Sequence, residues 1–127
     1  MDCEGSGSTS DVISGLDWVA SHIRGTNSQA VVNMSLGGAV DSVLNAAVRS
    51  IISLGVPVVA AAGNDARDAC SSSPGSEPLA ITVAASTSLD EQAGYSNYGS
   101  CVDVFAPGSS ITAAGIASDT STSVKSG

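Results

Sequence analysis

Apolar residues recur along this chain in two alternating rhythms. Between Thr9 and Arg24, the residues Val12, Ile13, Leu16, Val19, Ala20 and Ile23 stand three or four apart, which lines one face of an α-helix. Ser8, Thr9 or Ser10 is available to cap this helix and Gly25 ends it. Val43, Leu44, Ala47, Val48, Ile51 and Ile52 repeat the pattern. Asp41 or Ser42 opens this second helix, and Gly55 with Pro57 stops it. The other rhythm is a short, continuous aliphatic run: Ala30 to Leu36, Val56 to Ala62, Leu79 to Ala85 and Cys101 to Phe105 read as buried strands. The stretch 109–127 is rich in Ser, Thr, Ala and Gly with little periodicity, and is expected to be a flexible tail.

Strand, helix, strand in that order implies crossover connections and a parallel sheet. The predicted class is α/β, a mostly parallel sheet with flanking helices. Ligands of such sheets bind beyond the carboxyl ends of the strands. Ser35-Leu36-Gly37-Gly38 and Ala62-Gly63-Asn64 both follow strands and so fall on one edge.

Composition narrows the partners. The 127 residues suit one domain spanning 1–127. With four aromatic residues, Trp18, Tyr95, Tyr98 and Phe105, the core must be aliphatic. A net charge of −8 disfavours nucleic acid and anionic membrane surfaces. No apolar run approaches the ~20 residues of a membrane span, and Met1 leads directly into polar residues, so no signal peptide is visible. Of the three cysteines, Cys70 and Cys101 flank loops and one strand while Cys3 stands apart. A Cys70–Cys101 bridge with Cys3 unpaired, or three buried thiols, both satisfy the count. Asn33-Met34-Ser35 fits a glycosylation sequon, but its place on a predicted central strand argues against a glycan.

Several stretches share one resemblance. Asp2-Cys3-Glu4-Gly5-Ser6-Gly7, Val32 to Gly38, Val59 to Asn64, Ser73-Pro74 with Ser76-Glu77-Pro78, and Tyr95 to Gly99 through Phe105 to Gly108 occur in order. Together they resemble the middle of a subtilisin-like serine protease of the proteinase K branch. The resemblance implies a partial subtilisin-like fold and a partial peptidase domain carrying the substrate-binding and oxyanion-hole segment of a secreted endopeptidase.

What the resemblance implies for single residues has a physical basis. The amide of Asn64 would donate to the oxyanion of a tetrahedral intermediate, where a preplaced donor stabilises developing charge. Gly5, Ser6 and Gly7 on one side and Ser35, Leu36 and Gly37 on the other would hold an extended peptide or protein substrate by main-chain hydrogen bonds. Ala61, Ala62 and Gly63 would line a roomy pocket for the residue preceding the cleaved bond. The resemblance also implies a Cys70–Cys101 disulfide, with a partner for Cys3 ahead of this chain. A calcium ion would be held by the carbonyls of Pro78 and Ala80 and the carboxylate of Asp103, a hard-oxygen set.

The family's triad is expected to fall outside the chain, its aspartate and histidine ahead of Met1 and its serine just after Ser126-Gly127. The single histidine, His22, fits a cation near a helix C-terminus rather than a base. The chain alone is therefore expected not to hydrolyse peptides. Apolar surface left by the family's remaining elements is expected to drive self-association or pairing with a complementary protease fragment. A different reading is a non-catalytic peptide-binding module that uses the same cleft.

Overall fold

The computed structural model describes residues 5–26 and 29–127. Cys3 and its flanking Asp2 and Glu4, with their expected pairing, lie outside the described residues. Helix α1 (Thr9–Thr26) starts as the pattern predicts and runs past Gly25. Ser8 is its cap: the Ser8 hydroxyl accepts from the Asp11 amide at 3.2 Å and donates to the Asp11 carboxylate at 2.7 Å. Helix α2 (Ser42–Ile52) is capped by Asp41, whose carboxylate accepts from the amides of Val43 and Leu44 at 2.8 and 3.0 Å. Its exit passes through Gly55 at φ +81, a left-handed turn that glycine adopts without strain.

Four parallel strands form the sheet, β1 (Val32–Met34), β3 (Val58–Ala61), β5 (Ile81–Ser86) and β6 (Val104–Pro107), side by side in that order. Register places Met34 beside Ala60 and Ala60 beside Thr82. Because side chains alternate between faces, Met34, Val58, Ala60 and Thr82 share one face, and all four are buried. With Leu16, Ala20, Leu44, Val48 and Ile51 of the helices, the apolar members of that face form one core cluster. The core is aliphatic, as composition requires.

The opposite face carries Asn33, Val59, Ala61 and Val83, none of them buried. Among the described residues no helix lies over it. The strands therefore bury one face, although their continuous apolar runs suggest burial on both. β1 is an edge strand of this sheet, not a central one, and Asn33 is exposed with its amide donating to the Ser35 hydroxyl at 2.9 Å.

Two boundaries differ from the sequence reading. Cys101 to Asp103 precede the last strand: the Asp103 amide donates to the Thr82 carbonyl at 2.9 Å and pairing starts only at Val104 beside Val83. The stretch 109–127, aperiodic in sequence, contains an antiparallel hairpin of β7 (Ile111–Ala114) and β8 (Thr122–Lys125). It is fastened at its base, where the Gly127 amide donates to the Gly108 carbonyl at 2.9 Å. A short ladder, β2 (Gly38–Ala39) with β4 (Ser72–Ser73), joins the two loops that leave β1 and β3. The Cys70–Cys101 disulfide is formed, with Cα atoms 5.3 Å apart across 31 residues of chain. In a chain-entropy account a loop of that length is worth about 3 to 4 kcal/mol.

Candidate active-site cleft

Three concavities meet at Ser35. The first, about 470 Å³, runs between Gly5-Ser6-Gly7 and Leu36-Gly37-Gly38 with Leu44 and Ser73 among its lining residues. The second, about 240 Å³, lies between Leu36-Gly37-Gly38 and Ala61-Ala62-Gly63-Asn64, with Arg67 and Ser72. The third, about 520 Å³, spreads over the open sheet face past Val59, Val83 and Ala106 to the hairpin. Ser35 borders all three, and Asn64 borders the second and third. The nine residues expected to hold a peptide thus lie around joined concavities on one edge of the sheet.

Local sequence explains the walls. The β2–β4 ladder holds Gly38 against Ser73, and the Asp41 amide donates to the Ser73 hydroxyl at 2.9 Å, so the cap of α2 is tied to the same strut. Gly37 is exposed, and a Cβ there would meet the Ser73 carbonyl at 3.4 Å, an ordinary contact. Behind the second concavity, a Cβ at Gly75 would stand 3.0 Å from the Ala61 carbonyl. Only a residue without a side chain backs that wall closely.

Asn64 follows β3 on a tight turn. Gly63 has φ +106, and the Asn97 amide donates to the Gly63 carbonyl at 2.9 Å. The Asn64 side chain is exposed and accepts or donates no hydrogen bond among the described residues. A Cβ built at Gly127 would lie 3.3 Å from its Nδ2, which places the end of the hairpin beside the amide. A donor with no internal partner at the meeting of two concavities can hydrogen-bond an incoming oxygen.

His22 does not line these concavities. It is exposed on α1, stacked on Trp18 with ring centroids 5.1 Å apart. The Asp65–Arg67 ion pair, 3.2 Å, stands at the mouth of the second concavity and went unread in the sequence, because two charges in a turn carry no pattern of their own.

Asp103 sits beside the start of β5, where its Oδ2 accepts from the Thr82 amide at 2.7 Å. Its Oδ1 has no partner among the described residues. Thr82 is two residues from Ala80 and four from Pro78 in the chain, so the carbonyls expected to join Asp103 belong to the segment that leads into β5. That donor chemistry suits a hard cation. No cluster of three or more His, Cys, Asp or Glu side chains is present among the described residues.

The Subtilase family model matches residues 1–126. The chain belongs to the subtilase family. This subtilase segment is 55% identical over 128 residues to an extracellular serine proteinase of Thermus sp. (strain Rt41A), covering all of this chain and 30% of that protein. It is 50% identical over 114 residues to alkaline serine exoprotease A of Vibrio alginolyticus, covering 90% of this chain and 21% of that protein. The crystal structure of a cold-adapted subtilisin-like serine proteinase superposes with a TM-score of 0.91 at 46% identity, covering the whole of this chain and 45% of that one. The subtilase segment therefore spans less than half of the proteins it matches.

Proposed function

We propose that this chain is the substrate-cleft and oxyanion-donor segment of a secreted subtilisin-like serine endopeptidase. The observation that carries the reading is the unpartnered, exposed amide of Asn64 where the concavities bordered by Ser35 and Gly63 meet. Family membership and the extracellular naming of the Thermus relative support the parent's class and location. An extended peptide would lie between Gly5-Ser6-Gly7 and Ser35-Leu36-Gly37, with a side chain of the substrate in the small-residue pocket of Ala61, Ala62 and Gly63. Calcium would be held by Asp103 with the carbonyls of Pro78 and Ala80. It would act as a structural tie between the start of β5 and the residue before β6.

The 127-residue chain by itself does not cleave peptides on this reading. Its one histidine lies on α1 away from the lining residues, so no imidazole stands ready to activate a serine at the cleft. The open face of the sheet, lined by Val59, Val83 and Ala106, would be covered by a second copy or by a complementary fragment of the same family.

Two measurements on the purified chain test the reading. Fluorescence anisotropy with a labelled unstructured peptide should show saturable binding that Gly37→Trp weakens by at least about tenfold, since a bulky side chain would enter the first two concavities. Intact-mass analysis after a fluorophosphonate probe should show no adduct. Absent peptide binding overturns the cleft; a stoichiometric serine adduct overturns the inactivity.

A further inference from the structure

Asn97 is fully buried, and its side chain spends every polar atom on the main chain around Asn64. Its Nδ2 donates to the Ala62 carbonyl at 2.8 Å, with Ser72 Oγ at 3.5 Å. Its Oδ1 accepts from the amides of Asp65 and Arg67 at 3.0 and 3.1 Å. Its backbone amide donates to the Gly63 carbonyl at 2.9 Å. Four bonds from one residue therefore bracket Asn64 on both sides, at residues 62 and 63 before it and 65 and 67 after it.

The turn is shaped to admit this side chain. A Cβ at Gly63 would fall 2.4 Å from Asn97 Nδ2, a distance no real contact tolerates, so the glycine is required by Asn97 as well as by its φ of +106. The neighbouring segment is held in turn: the Tyr98 amide donates to the Arg67 carbonyl at 3.0 Å, and the Ser96 hydroxyl accepts from the Ala85 amide at 2.9 Å. The bracket is thereby anchored to β5 of the parallel sheet. Asn64 itself contributes nothing to this network, so its orientation is set by its neighbours.

We propose that Asn97 is the positioning residue of the oxyanion donor: it acts through the 62–67 turn, holding the Asn64 amide where a substrate carbonyl would develop charge. This inference rests on the reading of Asn64 given above. At neutral pH the amide plays both parts, donating to Ala62 while accepting from Asp65 and Arg67; a carboxylate accepts but cannot donate, and alanine does neither.

The test uses the full 127-residue chain labelled with ¹⁵N, wild type against Asn97→Ala, Asn97→Asp and Gly63→Ala. Amide hydrogen exchange at Asp65 and Arg67, taken relative to Val48 and Ile51 of α2, should accelerate by about tenfold or more in Asn97→Ala, the worth of a lost hydrogen bond. The Asn64 side-chain resonances should shift or broaden in the same variant, while binding of the unstructured peptide weakens in parallel. Asn97→Asp keeps an acceptor for the Asp65 and Arg67 amides but at neutral pH sets a carboxylate against the Ala62 carbonyl. It should therefore move the Asn64 resonances with less acceleration at Asp65 and Arg67 than alanine causes, and recover its Asn64 signature in acid, where the protonated carboxyl both donates and accepts. Gly63→Ala, which displaces the amide from the other side, should reproduce the effect if Asn97→Ala does not fold. Uniform acceleration across Asp65, Arg67, Val48 and Ile51 with unmoved Asn64 signals would show a general core residue and overturn the proposal. Should the wild type bind no peptide while the exchange pattern appears as expected, the cleft reading fails and the bracket around Asn64 stands.

Discussion

Arg49 grips Glu77 at two points: its Nε donates to Oε1 at 3.2 Å and its Nη2 to Oε2 at 2.8 Å. The Glu77 side chain is 1% exposed and that of Arg49 57%, so the pair seals a buried charge from the solvent side. The Glu77 hydrogen bond and its negative charge raise the Arg49 pKa above an already high ordinary value. A basic group with a raised folded pKa contributes fully below its unfolded value, so this contribution stays whole until strongly alkaline pH.

Removing one partner strands the other. Arg49→Met should lower Tm by several degrees, because Glu77 stays buried without its cation and with only the Leu79 amide, at 3.4 Å, to donate to it. The double variant Arg49→Met with Glu77→Leu should recover most of the loss, since no buried charge remains. Thermal unfolding followed by circular dichroism checks the order of the three proteins; a double variant no more stable than the single one would refute the argument.

Asp103 makes a separable prediction. Calcium at a hundredfold excess over its dissociation constant should stabilise the chain by about 2.7 kcal/mol, read as a calcium-dependent rise in Tm. Asp103→Asn should abolish most of the rise. The asparagine retains an oxygen for the Thr82 amide, so Tm without calcium should change little. Equal responses of both proteins to calcium would remove Asp103 from the site.

The open sheet face predicts association. Val59 and Val83 lie on it without a covering element among the described residues, and an apolar patch of this kind favours burial against another surface. Sedimentation velocity should show mass increasing with concentration. Val83→Lys should shift the chain toward monomer without altering α2, which packs on the other side of the sheet. A monomer at every concentration would count against the role of this face.

Much of this was legible in the chain. Helix periodicity marked both helices, and Asp41 and Ser8 were among the caps the sequence offered because short polar side chains satisfy free amides at such ends. Aliphatic runs located β1, β3 and β5 to within a few residues. The run Cys101 to Phe105 marks β6 only in part: Cys101 and Val102 are as apolar as the strand, but the Asp103 amide and carboxylate bond Thr82 and the ladder begins at Val104. The hairpin at Ile111 to Lys125 is illegible for another reason: Ile111 and Val124 are the only large apolar residues of its strands, each opposite a polar one, and these largely solvent-exposed strands carry no apolar alternation. Asn64 was singled out by a resemblance, whereas the bracket that holds it was not, since the bonds of Asn97 join residues about thirty positions apart.

Gly75 offers the sharpest test of how closely the cleft wall is built. A Cβ there would press on the Ala61 carbonyl at 3.0 Å, with Thr82 Cγ2 at 3.4 Å and Ala62 Cα at 3.6 Å. Two of these neighbours are main chain of the segment that lines the second concavity, so neither can rotate aside. Thr82 is itself fixed, its hydroxyl donating to the Gly75 carbonyl at 3.0 Å. Gly75→Ala should therefore cost about 1 to 3 kcal/mol by overpacking and push Ala61 and Ala62 toward the concavity. Peptides bearing a large aromatic side chain for that pocket should lose affinity, while a peptide with alanine at the same place should lose much less. Denaturant unfolding and anisotropy on the same samples separate the two effects, and equal losses for both peptides would mean that the wall does not shape the pocket.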